Sequence, residues 1–298
     1  MRLPFILLPL ALAACSNCSK PHDDATDASD GAVEAPSLVS DGGVINATAL
    51  PTAIIYAALN PDKLPAYSGP VGSVEGTVTV TGDPPVPTPF DFKRCADAES
   101  IYGTSFRKAP NGALADAIVV VTGYSGFFVP ETKEAAQIRI EGCGYSTRTL
   151  TMTFGQRIEV KNLTRDFWTP ILEPGTNSVI MMAAPMGDPV KIYPKKAGHW
   201  LLLDHDRKYA VTDVFAFKHP LHAATDIEGH FRIDGVPVGK LQLGVMHPRF
   251  EASARVDVDV KPNVVQRVDV VLVHKFVDAG VPSDRELADA GAPRSPLH

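Results

Sequence analysis

The sequence has no apolar run long enough to cross a membrane, since a spanning helix needs about 20 mostly apolar residues. It also has no cluster of Lys and Arg, and its net charge is −6. Nucleic-acid-binding proteins carry basic patches. We therefore expect neither a membrane-spanning helix nor a nucleic-acid partner.

Catalytic motifs are missing as well. The chain contains no Gly-x-Ser-x-Gly elbow, no His-Glu-x-x-His pair and no glycine-rich phosphate loop, and each of these would place reactive groups in a known geometry. Ser146 and Ser178 have no paired base in a recognisable setting. The sequence therefore predicts a protein that is not an enzyme.

A sustained 3.6-residue hydrophobic period is absent, and short alternating or continuous apolar segments bounded by Gly, Pro, Asn or Asp take its place. Predicted strands cover residues 74–81, 117–122, 137–140, 149–154, 157–161, 178–183, 200–203, 214–218, 230–233 and 241–246. Residues 92–102 are the best helical candidate, and residues 53–59 fit a helix or a strand. The pattern predicts an all-β protein with strands at sandwich spacing.

The amino terminus has the features of an export signal. Arg2 precedes a short apolar run that ends in Leu12-Ala13-Ala14-Cys15, which resembles the bacterial lipobox, a cleavage site before a lipid-modified cysteine. The sequence predicts a signal peptide over residues 1–14 and lipidation of Cys15, where each buried methylene adds about 0.8 kcal/mol of membrane affinity. The alternative is an ordinary signal peptide that contains a cysteine.

Residues 15–68 are rich in Asp, Ala, Ser and Gly and poor in aromatics, which is typical of a solvated acidic tether. Residues 278–298 have the same bias and are predicted to be a disordered tail. The folded part is then expected over residues 69–277. Ser16 after Cys15 resembles outer-membrane sorting signals, so we expect a lipid-anchored protein of the bacterial cell envelope that faces the periplasm or the cell surface.

Cys95 and Cys143 are the two cysteines of the predicted folded part, since Cys18 lies in the tether. An exported protein favours a disulfide between them, which would add about 4 kcal/mol on the chain-entropy estimate. Two separate buried thiols are the alternative.

Residues 212–277 carry a pattern of turns and short strands. Its positions are Thr225, Asp226, Gly229, Phe231, Ile233, Val236, Pro237, Gly239 and Leu243. This pattern resembles the carboxypeptidase regulatory-like family, whose fold is a transthyretin-like β-sandwich. The resemblance implies a module that supports and binds.

Residues 69–211 contain a second ordered set of short motifs. They are Glu75-Gly76-Thr77-Val78, Asn111-Gly112, Gly142-Cys143-Gly144-Tyr145 and the run from Gly155 to Asn162, with His219-Pro220 and His247 further along. Together they resemble a cupredoxin-like (plastocyanin-like) domain of exported bacterial proteins. The resemblance implies a Greek-key sandwich ahead of the transthyretin-like one.

The copper ligands of that family are not matched here. A histidine is expected shortly after Asn162, where Trp168 stands, and the loop of residues 204–211 lacks a Cys-x-x-His-x-x-Met pattern. Since no cysteine follows Cys143, no thiolate is available for the trigonal site of an electron-transfer copper. The resemblance thus implies the fold without that function, and we expect no cofactor.

Copper or another metal remains an alternative through other ligands. His199, Asp204 and His205 could form a site of oxygen and imidazole donors, and Met181, Met182 and Met186 could hold Cu(I). A polar loop and core packing are the structural alternatives.

Trp168 and Trp200, with Phe127, Phe128 and Phe167, would line a binding groove if exposed, or fill the core if buried. The combined prediction is a membrane-anchored binding or scaffolding lipoprotein that contacts another envelope protein, with a copper carrier as the alternative.

Overall fold

Nearly all of the regular structure is β-strand, as predicted. A computed structural model describes residues 47–93, 95–174 and 181–275. The predicted signal peptide, Cys15, Cys18, the start of the tether and the predicted tail lie outside these residues. No helix in the described part is long and apolar enough to span a membrane.

The described ranges contain two short helices, α1 (Thr52–Leu59) and α2 (Ala96–Tyr102). The strands are β1 (Val71–Gly82), β2 (Ile118–Thr122), β3 (Ala135–Glu141), β4 (Gly144–Tyr145), β5 (Thr149–Thr153), β6 (Arg157–Asn162), β7 (Pro170–Glu173), β8 (Val190–Ile192), β9 (Gly198–Asp204), β10 (Val211–Phe217), β11 (His222–Ala224), β12 (His230–Pro237), β13 (Gly239–His247), β14 (Phe250–Val260), β15 (Val265–Arg267) and β16 (Val270–His274). α2 confirms the helix expected within residues 92–102. Most predicted strands are confirmed in the same way.

The strands form two sandwiches, one inserted into the other. In the enclosing sandwich, β1 pairs with β12, β15 and β16, and the facing sheet has the order β11-β2-β13-β14. The inserted sandwich consists of the sheets β5-β10-β9-β7 and β4-β3-β6-β8. Each sandwich has its own core of buried apolar side chains. Since β3 to β10 all lie between β2 and β11, the enclosing sandwich is built from two separated stretches of chain.

Strand pairing therefore crosses the predicted boundary between residues 211 and 212. β1 and β2 belong to the predicted first domain, but β1 pairs with β12 and β2 pairs with β13. The boundary itself falls inside β10. The prediction of two consecutive sandwiches is corrected to an insertion, because long-range strand pairing is not visible in the linear order of motifs.

The Thr-Asp-x-x-Gly motif forms the corner between β11 and β12. Thr225 Oγ1 accepts the N–H of Ala117 at 2.9 Å and donates to the carbonyl of Leu114 at 2.7 Å. Gly229 has φ +75°, and a Cβ there would lie 2.6 Å from the carbonyl oxygen of Val78. The motif residues thus fasten this corner to β1 and to the start of β2.

β10 has the two different faces that its alternation predicts. Val214 and Ala216 are buried in the core of the inserted sandwich. Asp213, Phe215 and Phe217 point to the opposite face, in register with Thr149, Thr151 and Thr153 of β5. We call these six residues the junction face, because residues of the enclosing sandwich contact it.

Three further expectations fall on described residues. Residues 53–59, which fitted either a helix or a strand, form a helix. Leu50, Ile55 and Leu59 pack against the core of the inserted sandwich. The tether prediction is therefore wrong for residues 47–68. Of the strand expected at 178–183, residues 178–180 lie outside the described part, and Ala183 makes only an isolated bridge with Trp168.

The predicted disulfide between Cys95 and Cys143 is confirmed, with its Cα atoms 5.6 Å apart. It links the residue preceding α2 to the turn between β3 and β4, so the helix is tied covalently to the inserted sandwich. The alternative of two free thiols is excluded in this structure.

Candidate functional site

The loop end of the inserted sandwich is where the cupredoxin-like resemblance would place metal ligands. Trp168 stands there, only 1% exposed. Its indole N–H donates to Thr164 Oγ1 at 3.1 Å. The guanidinium carbon of Arg207 lies 4.1 Å from the ring centroid, a cation–π contact. A tryptophan and an arginine therefore pack together at the centre of this end.

Asp204 ends β9 directly beside this pair, and its side chain is buried. Oδ2 accepts the N–H of Thr169 at 2.7 Å. Oδ1 accepts the N–H groups of Asp206 at 3.1 Å and Arg207 at 2.8 Å. Three backbone donors thus occupy the carboxylate, which fixes the start of the loop that carries Arg207.

These residues do not fit a copper ion. The loop provides no thiolate, and the Asp204 carboxylate is engaged by three backbone N–H groups. The guanidinium of Arg207 lies over the Trp168 ring and forms ion pairs with Asp204 and Asp166, each at 3.6 Å. A soft or borderline metal requires free thiolate, thioether or imidazole donors. The alternative that Trp168 and Trp200 line an open groove is also wrong, because both are buried.

His199 and His205 lie far apart. His199 is near the start of β9, and His205 follows its end, so at about 3.3 Å per residue the strand separates them. His205 Nδ1 lies 3.0 Å from Asp206 Oδ1, and its ring is exposed. The predicted set of His199, Asp204 and His205 is therefore not gathered into one site. In the described ranges, no three His, Cys, Asp or Glu side chains are placed to share a metal ion.

Asp213 was not among the predicted site residues, yet it is a buried carboxylate on the junction face. Its Oδ1 lies 2.9 Å from His199 Nε2, and its Oδ2 lies 2.7 Å from Arg249 Nη2, too misaligned for a hydrogen bond. Arg249 belongs to the turn between β13 and β14. The ion pair therefore joins the two sandwiches. An acidic residue on the same face as Phe215 and Phe217 was the available sequence signal.

A polar groove of about 660 Å³ lies on the other side of the junction. Glu131 and His222 line it, and Thr153 Oγ1 donates to Glu131 Oε2 at 2.6 Å and lies 3.4 Å from His222 Nε2. Burial lowers the pKa of His222 to about 3, so this imidazole is neutral at neutral pH. On the groove rim, Arg232 forms an ion pair with Asp234 at 2.8 Å, which satisfies both charges within the protein.

Large apolar side chains are exposed at the tip of the inserted sandwich. They are Leu163 at 39%, Phe167 at 58%, Met182 at 64% and Met186 at 65% exposure. We call these four residues the apolar tip. Phe167 and Met182 flank the bridge between Trp168 and Ala183, whose side chains point inward. Their neighbours therefore point outward on the same surface.

The apolar tip also settles two of the predictions made from residue type. The alternative in which Met181, Met182 and Met186 all fill the core is wrong for Met182 and Met186, which are exposed, and right for Met181, which packs against the core. Phe167 is exposed although it adjoins the buried Trp168. Sequence alone could not separate these neighbours, because the run from Leu163 to Thr169 is a loop without a regular period.

No protein-family model and no curated protein matches the chain. Part of it is similar to solved structures of amicyanin. Amicyanin from Paracoccus versutus (Thiobacillus versutus) has a TM-score of 0.26 and 16% identity, and the match covers 29% of this chain and 84% of that chain. The reduced state of an amicyanin mutant has a TM-score of 0.26 and 14% identity over 33% of this chain and 97% of that chain. The chain therefore shares a weak similarity of fold with these proteins over about a third of its length. TM-scores this low support no conclusion about copper binding or function.

Proposed function

We propose that this protein is a non-enzymatic lipoprotein of the bacterial cell envelope that binds another envelope protein through the apolar tip. Lipid on Cys15 would hold it at the membrane, at the outer membrane by the resemblance of Ser16 to sorting signals. The observation that carries the proposal is the exposure of four large apolar side chains, Leu163, Phe167, Met182 and Met186, on neighbouring loops. Grouped exposed apolar side chains are typical of protein-protein contact sites.

The loops that carry the apolar tip are held together from beneath. Asn162 Nδ2 donates to the carbonyls of Asp166 and Ala183, both at 2.8 Å, and its Oδ1 accepts the N–H of Thr164 at 2.9 Å. One buried amide therefore connects both loops. A binding surface that is already ordered loses less conformational entropy on association, which supports a contact role for this end.

The copper-carrier alternative is less well supported by the same residues. Trp168 and Arg207 occupy the loop end, and the Asp204 carboxylate beside them accepts three backbone N–H groups. The two candidate imidazoles each lie beside a carboxylate, since His199 Nε2 is 2.9 Å from Asp213 Oδ1 and His205 Nδ1 is 3.0 Å from Asp206 Oδ1. A copper titration of the soluble fragment distinguishes the two functions. Stoichiometric binding that disappears with Met182→Leu and Met186→Leu would favour the carrier.

Site-specific photocrosslinking in the producing cells tests the contact. Benzoylphenylalanine replaces Phe167 in the full chain, and irradiation is expected to give one discrete adduct of defined mass. Ile227 is the matched control, because it is 61% exposed in the turn between β11 and β12 of the enclosing sandwich. No adduct from position 167, or equal adducts from positions 167 and 227, would contradict the proposal.

Membrane anchoring is tested separately. Cys15→Ala is expected to shift the protein from the membrane fraction to the soluble fraction. Mass spectrometry of the digested wild-type protein should show acyl chains on the peptide that begins with Cys15. A membrane-bound Cys15→Ala variant would remove the lipid anchor from the proposal without affecting the contact at Phe167.

A further inference from the structure

Met186 lies at the tip of a tight turn in a backbone conformation that disfavours it. The N–H of Gly187 donates to the carbonyl of Ala184 at 3.0 Å, and Pro185 and Met186 are the central residues. Met186 has φ +52°. A type II turn needs positive φ at this position, where glycine is favoured. The chain thus holds a long thioether side chain where glycine would cost less.

Met182 and Met186 are also the most exposed methionines in the described ranges. Their exposures of 64% and 65% compare with 38% for Met246 and 1% for Met152. Met181 is partly buried against the core of the inserted sandwich. Two thioethers on one exposed loop are therefore open to a reagent in solution, while the adjacent Met181 is partly covered by the core.

We propose that Met182 and Met186 are sites of oxidation by hydrogen peroxide. In the step, a sulfur lone pair attacks one peroxide oxygen, an S–O bond forms and the O–O bond breaks. The sulfur loses two electrons and becomes a sulfoxide, and the other oxygen leaves as water with both protons of the hydrogen peroxide. Methionine sulfoxide is a product that cellular reductases return to the thioether.

Oxidation would change the chemistry of the apolar tip. A sulfoxide is polar and accepts hydrogen bonds, so an apolar partner surface would have to desolvate it without compensation. This consequence rests on the proposed function. The two exposed methionines would then make binding at Phe167 sensitive to peroxide in the compartment around the envelope.

The test measures oxidation at each methionine of the folded protein. Dilute hydrogen peroxide is added at neutral pH, the reaction is quenched over time, and peptide mass spectrometry follows each sulfoxide. Met182 and Met186 should react more than about tenfold faster than Met152, which is reached only through opening of the structure. Met181 is the adjacent internal control and Met246 is the control outside the tip, and both should react more slowly than Met182.

Equal rates at Met181 and Met182 would overturn the inference, whatever the partner. The coupling to binding has its own measurement, crosslinking from position 167 before and after peroxide. Adduct yield should fall in the otherwise wild-type chain and persist in the Met182→Leu, Met186→Leu double variant, which keeps the tip apolar. Loss of adduct in both would refute the coupling. No adduct before peroxide would refute the proposed function and leave the rate comparison to judge the oxidation sites.

Discussion

Acidification is expected to destabilise the folded protein through two histidines, the partly buried His222 and the buried His247. Burial lowers the pKa of His222 to about 3 and that of His247 to about 4. The groups around them do not reverse this effect. Lys133 lowers the pKa of His222 further, and the attraction of Asp116 raises that of His247 by less than burial lowers it.

The sign follows from proton uptake. In the unfolded chain both imidazoles titrate near pH 6.5, so between pH 6.5 and the folded pKa the unfolded state binds more protons. The contribution of the two neutral histidines to the free energy of unfolding is therefore fully present above about pH 6.5. It is lost as the pH decreases towards 4 and 3. At pH 5 each histidine is about 1.5 units below its unfolded pKa, and about 1.4 kcal/mol per unit gives roughly 2 kcal/mol each. Both together lower the free energy of unfolding by roughly 4 kcal/mol.

Urea unfolding at pH 7 and pH 5, followed by the fluorescence of the buried Trp168 and Trp200, measures this difference. His222→Gln and His247→Gln should each remove about 2 kcal/mol of the pH dependence. His205→Gln is the control at an exposed ring, and the effects of the changes at positions 222 and 247 are compared with its effect. The reasoning fails if the double variant at positions 222 and 247 still loses as much stability at pH 5 as the wild type.

Three further changes test individual contacts by the same unfolding assay. Gly229→Ala should cost about 1–3 kcal/mol, because φ is +75° and the new Cβ would lie 2.6 Å from the carbonyl oxygen of Val78; an unchanged midpoint would refute the close approach. Met186→Gly should stabilise by up to about 1 kcal/mol by relieving the positive φ, whereas a loss would mean that the side chain packs. Cys95→Ser with Cys143→Ser should cost about 4 kcal/mol on the chain-entropy estimate, and a cost near zero would show that the loop is constrained without the disulfide.

Local features of the fold were predictable from the sequence because their causes are local. The alternation of Val214, Phe215, Ala216 and Phe217 defines the two faces of β10, and burial of alternate residues follows from the strand period. The turn at Gly229 needs a residue that tolerates positive φ, which glycine provides. Where the pattern was short and mixed, as in residues 53–59, the choice between helix and strand depended on packing that the sequence does not display.

The insertion of one sandwich into the other was not predictable in this way. The pairing of β1 with β12 joins residues such as Val74 and Ile233, and nothing in either segment specifies the other. Alternating apolar residues determine which face of a strand is buried, but not which distant strand lies beside it. The order of the motifs along the chain suggested two consecutive domains, because that order contains no information about which strands pair.

The candidate site shows how partners, rather than residue types, decide function. Asp204 and His205 have the donor atoms of a metal site, yet the Asp204 carboxylate accepts three backbone N–H groups and the His205 ring faces solvent. The missing cysteine was visible in the sequence. The position of the Arg207 guanidinium over Trp168 was not, because it depends on the loop that Asp204 fixes. Arg207 is ion-paired there with Asp204 and Asp166, so the inner part of this end is filled by groups that bind one another, whereas Phe167 and Met182 are exposed on its outer surface.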